Sequence, residues 1–215
     1  MMKMLKELTE KESLKEKLFR KTNTGWEGIE SKKKEEIFSY CTDYMNFLNN
    51  SKTEREIVKS SKELAEKNGF KNICEFENLK AGDKIYYINR DKSMYLAIIG
   101  QNSIENGINI IGSHADSPRL DLKQNPLYED SELALMDTHY YGGVKKYQWV
   151  ALPLALHGIV VKKDGTKINV VVGEDDTDPV LGISDLLIHL SAHQLQKKAN
   201  EVIAGEDLNV LVGNI

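Results

Sequence analysis

Along the chain the spacing of apolar positions changes twice. From Ser31 to Asn49, apolar Ile37, Cys41, Tyr44 and Leu48 recur at helical spacing among lysines and glutamates. That pattern predicts a helix with one buried stripe and one solvated face. A second helix is expected to begin at Thr53, whose hydroxyl and Glu56 three residues on have the spacing of a capping box. It should stop at Asn68-Gly69, a left-handed C-terminal signal. The period then falls to two. KIYYINR, the polar turn DKS and MYLAIIG predict a hairpin, and GINIIGS predicts a further apolar strand that ends just before His114.

Beyond Pro118 short apolar and aromatic runs alternate with turn signals. Gly142-Gly143 separates two of them, and Lys163-Asp164-Gly165 reads as a turn between β-branched strands. Helical spacing returns in ISDLLIHLSAHQLQKKAN. A helix is predicted over about 184–200, with Leu186, Leu187, Leu190 and His193 facing inward and Lys197 and Lys198 at its C-terminal end. The final DLNVLVGNI reads as a strand. The pattern therefore predicts an α/β chain in two parts: residues 1–118, where helices feed a sheet, and residues 119–215, rich in β-structure.

Composition narrows the classes of partner. A chain of 215 residues can bury one good-sized core or two modest ones. With 29% charged residues and a formal net charge of −4, it has no basic excess to hold a nucleic acid or an anionic membrane. No apolar run reaches the roughly 18 residues of a membrane span. The N-terminal MMKMLKELTEKESLKEKLF lacks the apolar centre of a signal peptide, so the expected location is the cytoplasm. Cys41 and Cys74 form no CxxC pair and are expected to be reduced, packed thiols.

Candidate chemistry begins where IIGSHADSPRLDLK leaves its apolar run. A metal-binding imidazole is aimed by its second ring nitrogen, and a nearby carboxylate can accept that N–H and raise the ligand's basicity. His114 and Asp116 are the right residue types, on a short segment stiffened by Pro118. The triplet alone is equally compatible with a capped turn bearing a solvated histidine.

The longer words around it are more specific. GSHADSPRLDLKQNP after an apolar run, followed by MDTHYYGGVKKYQW, closely resembles the aspartyl aminopeptidase and aminopeptidase I family of cocatalytic-zinc exopeptidases. The resemblance extends to the Trp26-Glu27 region, the helix pair and the late LLIHL segment. It implies a zinc-peptidase-like α/β catalytic part over residues 1–118, interrupted by an inserted β-rich dimerisation domain of which 119–215 is a portion. It also implies two Zn²⁺ ions, replaceable by Co²⁺ or Mn²⁺, and hydrolysis of the N-terminal peptide bond of peptides. His114 matches the first zinc ligand and Asp116 the acid that orients it. The bridging Asp, the Glu-Glu pair holding the general base, and the later Asp and His have no match here, so the chain is expected to be the N-terminal portion of a longer enzyme, inactive alone.

By the same resemblance His189 matches a histidine that reaches from one subunit's dimerisation domain into its partner's active site and helps hold the scissile carbonyl. The implied assembly is a homo-oligomer of dimers, up to a dodecamer. Read from the residues alone, His189 is a partly buried helix histidine, and its pairing with His193 fails as a zincin motif because Leu190 stands where Glu is required. His139 and His157 lack an acidic partner at motif spacing and are read as structural. Tyr140, Tyr141, Tyr147 and Trp149 are read as core or dimer packing rather than a base-stacking platform. The rival from another class is a non-catalytic assembly module.

Overall fold

The computed structural model describes residue 14 and residues 17–20 and 22–214. Contacts divide the chain into two compact units, Met1–Phe47 and Leu48–Ile215.

Helix α1 (Ser31–Asn49) forms over the predicted span. Its stripe is a different matter: no residue of the helix is buried, and Tyr44 is 54% exposed. An amphipathic stripe is buried only by an apposed surface, and the described residues of the first unit supply little of one. Trp26 stacks on Phe38 with ring centroids 6.1 Å apart. Cys41 and Cys74 are free thiols, as expected, but both are exposed rather than packed.

In the second unit, α2 (Glu54–Lys67) carries the predicted capping box. Thr53 Oγ1 accepts from the Glu56 N–H, and Glu56 Oε2 accepts from the Thr53 N–H at 2.9 Å. At the other end the Phe70 N–H reaches Ala65 O and the Gly69 N–H reaches Glu66 O, a Schellman closure that needs the left-handed φ of +83° at Gly69. The helix buries Val58 and Ala65. It is tied by Glu66, which accepts from the Tyr86 hydroxyl at 2.7 Å, to a three-stranded sheet of order β1-β2-β3. Here β1 (Lys71–Asn72) runs parallel to β2 (Lys84–Asn89), and β3 (Ser93–Ile98) closes the predicted hairpin.

The predicted strand before His114 is absent. Residues 107–118 are irregular, and Ile110 and Ile111 are 78% and 100% exposed. A strand holds its shape through ladder bonds to neighbours, and among the described residues none pairs with this run.

The main core lies in a five-stranded sheet of order β4-β5-β10-β9-β6. Its strands are β4 (Arg119–Asp130), β5 (Leu133–Tyr141), β6 (Pro153–Leu154), β9 (Leu181–Gly182) and β10 (Val210–Asn214). The last of these is the strand predicted from DLNVLVGNI, and it is central. Leu181, Ile183, Ile203, Leu208 and Val210 are buried, with Trp149 packed against them as read from the sequence. The Thr138 hydroxyl donates to the Leu208 carbonyl in the same core. A separate hairpin of β7 (Leu156–Val161) and β8 (Lys167–Val172) turns at the predicted Lys163-Asp164-Gly165.

The late helix does not form. Residues 184–200 hold turns and one short 3₁₀ segment, Gln194–Gln196. Leu187 and Leu190 are 72% and 70% exposed, so the apolar stripe has nothing to pack on, and a helix of this length is marginal without tertiary contacts. His193 stands at the start of the 3₁₀ segment and is exposed rather than inward.

Candidate functional site

Two sequence words that lie apart in the chain meet through the β4–β5 ladder. Arg119 pairs with Tyr141, Leu120 with Tyr140 and Asp121 with His139, so the end of YYGG lies beside the start of SPRLDLK. Gly142 continues the contact: a Cβ there would stand 3.5 Å from the Pro118 Cα, and its φ of +79° requires glycine.

At this junction His114 Nδ1 lies 2.8 Å from the backbone oxygen of Asp116 and 3.2 Å from its Oδ1. A carbonyl oxygen can only accept, so Nδ1 carries the proton and donates. Nε2 is left with a free lone pair, the state in which an imidazole binds metal. The Asp116 carboxyl is held below the ordinary carboxylate range by the Tyr141 phenol, then by its own backbone N–H and by His114; the same contact pushes the Tyr141 phenol up. Beneath the phenol ring the Arg119 guanidinium lies 4.2 Å from the centroid. It also pairs with Asp121 at 2.7 Å and with Glu54 of α2 at 3.0 Å.

The expected orientation of His114 by Asp116 is thus present, whereas the expected cleft is not. The His114 side chain is 82% exposed, because the irregular 107–118 run gives it no wall. As a donor set the pair fits zinc: one neutral imidazole with its outer nitrogen free and its inner one bound to oxygen. It supplies one ligand, and no group of three or more His, Cys, Asp or Glu that could hold a metal occurs among the described residues.

His189 lies on the turn 188–190, exposed, with no helix to set it four residues above His193. His139 stacks on Tyr140 at 5.5 Å. His157 departs from the sequence reading. It is structural but does have acidic partners: Nδ1 lies 2.8 Å from Glu56 Oε1 and Nε2 lies 2.8 Å from Glu174 Oε1. Lys52 Nζ reaches the same Glu174 oxygen at 2.8 Å.

Sequence reasoning missed two features, Tyr141 beside Asp116 and the Glu56–His157–Glu174 bridge. The tight turn at Ser131-Glu132 would by itself pair Tyr141 with Leu122; an irregularity between Leu122 and Leu127 moves its partner to Arg119. Nothing in the local sequence signals that shift. The bridge spans 101 residues between Glu56 and His157 and has no local pattern at all.

A histidine fixed by an acid on an α/β scaffold is the arrangement of a metallohydrolase ligand. The sequence model of the family described as aminopeptidase I zinc metalloprotease (M18) matches residues 47–214, and the chain belongs to that family. A probable M18 family aminopeptidase 1 of Clostridium acetobutylicum is 54% identical over 202 residues, covering 92% of this chain and 43% of that protein. The crystal structure of aminopeptidase I from Clostridium acetobutylicum matches 92% of this chain and 44% of its own, with a TM-score of 0.79 at 44% identity. An M18-family aminopeptidase structure from Thermotoga maritima gives a TM-score of 0.83 at 37% identity, covering 92% of this chain and 42% of that one. The chain spans less than half the length of these relatives. No helix among the described residues is long and apolar enough to cross a membrane.

Proposed function

We propose that this chain is the N-terminal portion of a zinc-dependent aminopeptidase that removes N-terminal residues from peptides. The observation that carries the reading is the Nδ1 bond of His114 to Asp116, which leaves Nε2 for a metal in a chain of a family described as a zinc metalloprotease. His114 would hold one of two zinc ions, with Co²⁺ or Mn²⁺ as alternatives, and Asp116 would keep its ring aimed. Bound zinc supplies Lewis acidity and a water of lowered pKa. The remaining ligands and the general base belong to the further length that the relatives have.

The domain assignment is part of the proposal: residues 1–118 form catalytic structure and 119–215 part of an inserted dimerisation domain. The change of texture at Pro118 supports it. So does the separation of the β1-β2-β3 sheet from the five-stranded one. In this reading the protein is a cytoplasmic homo-oligomer of dimers, up to a dodecamer. His189 reaches across the dimer and donates to the scissile carbonyl of a peptide in the partner's site. The exposed turn that carries it suits such a reach.

Metal content per chain and chelator-sensitive release of amino acids from aminoacyl reporters test this. The 215-residue chain should bind zinc weakly and turn nothing over, since one imidazole falls short of the three or four ligands a zinc site uses. In the protein of full family length, His114→Ala should lower zinc and activity together. His189→Ala should cut turnover by about 100-fold or more with zinc retained. Full activity in the His114→Ala protein would remove the central residue of the reading. Chelator-sensitive turnover by the short chain would refute the placement of the ligands, and a stable, metal-free oligomer of the full-length protein without activity would favour an assembly module.

A further inference from the structure

We propose that Tyr141 is a positioning residue for the His114–Asp116 pair, its phenol holding the Asp116 carboxylate in the orientation that meets His114 Nδ1. The purpose of the arrangement rests on the reading of His114 as a metal ligand; the geometry does not.

A two-oxygen acid next to an exposed imidazole has freedom to rotate. The backbone oxygen of Asp116, at 2.8 Å, already fixes the tautomer of His114. What the carboxylate adds at 3.2 Å is negative charge on the inner nitrogen, which raises the basicity of the outer one. That gain requires Oδ1 to stay turned toward the ring. Asp116 has its side chain 36% exposed, so packing alone does not lock it. The phenol of Tyr141 is the other polar group interacting with the carboxylate.

Tyr141 is itself held from three sides. The ladder sets it opposite Arg119. Arg119 lies under its ring at 4.2 Å and is anchored in turn by Glu54 at 3.0 Å and Asp121 at 2.7 Å. Gly142, the next residue, folds against Pro118. A chain of contacts therefore runs from helix α2 through Arg119 and Tyr141 to Asp116 and ends on His114. The ring is the structural link and the hydroxyl the positioning one, which makes the two separable by substitution.

Tyr141→Phe keeps the ring over Arg119 and removes the hydroxyl. In the metal-free 215-residue chain, the Asp116 χ1 populations, read from side-chain proton couplings, should change from one rotamer to a mixture, with the ratio shifted about threefold to tenfold. In the full-length protein the zinc dissociation constant, measured by chelator competition, should rise about threefold to tenfold; Tyr141→Phe should add nothing once Asp116→Ala is present. A single unchanged Asp116 rotamer in Tyr141→Phe overturns the proposal whatever zinc does. A shifted rotamer in a protein whose wild type takes up no zinc leaves the positioning role standing and removes the metal reading instead. Should Tyr141→Phe fail to fold, Asp116→Asn reads the contact from the other side: the Tyr141 Cζ resonance should move, and a resonance that stays in place counts against the proposal.

Discussion

His157 shows how a single side chain can depend on residues far from it in sequence. Its side chain is 12% exposed between Glu56 of α2 and Glu174 just past β8, and Lys52 completes the group. Burial by itself would raise Glu56, but His157 and the backbone N–H groups of Thr53 and Lys52 outweigh it and hold the carboxyl low. Lys52 and then His157 hold Glu174 low. A carboxylate whose folded pKa lies below its unfolded value contributes stability that is whole above the unfolded value, about 4.3, and is lost as the pH falls through the folded one. Urea midpoints should therefore be level near neutrality and fall below about pH 4. His157→Ala should remove about 1–2 kcal/mol at pH 7, a modest figure because Glu174 is 38% exposed and screened. It should also flatten the acid limb of the profile. A variant with the wild-type acid limb would show that the bridge carries no stability.

At the scale of elements, what the sequence disclosed and what it hid separate along a physical line. Helix α2, the β2–β3 hairpin and the β7–β8 hairpin carry their determinants within a few residues, in a capping box, a terminal glycine or a polar turn, and each forms where it is expected. The 107–113 run and the 184–200 segment are apolar without such local closure. Their state depends on a surface elsewhere, which neither period nor propensity reveals. The candidate site divides in the same way. His114 and Asp116 are two residues apart and were legible; Tyr141 joins them only through a ladder whose register shifts midway. The capping box offers a direct test: Thr53→Ala should cost about 1 kcal/mol by urea unfolding. Because Glu56 serves both Thr53 and His157, the loss should be less than additive with His157→Ala. Strict additivity would mean that cap and bridge act independently.

Across the whole molecule, the largest sheet is organised around a strand that comes last in the chain. β10 lies between β5 and β9, pairing Val210 with Met136 and Leu211 with both Leu135 and Gly182. Ending the chain after Asp207 should leave the β5 and β9 edges open, uncover the Leu208 and Val210 positions of the core, and produce a protein that self-associates on size exclusion. A monomeric, cooperatively melting product would refute the central role of β10. The order of strands also sets an order of events during synthesis. As the polypeptide emerges from the ribosome, the β4–β5 hairpin can close early, yet one side of β5 stays bare while every residue between it and β10 is still being translated. The nascent chain thus carries an adhesive apolar edge for most of its time on the ribosome. Its yield in a cell is governed by whatever shields Leu135 and Met136 until the final strand arrives.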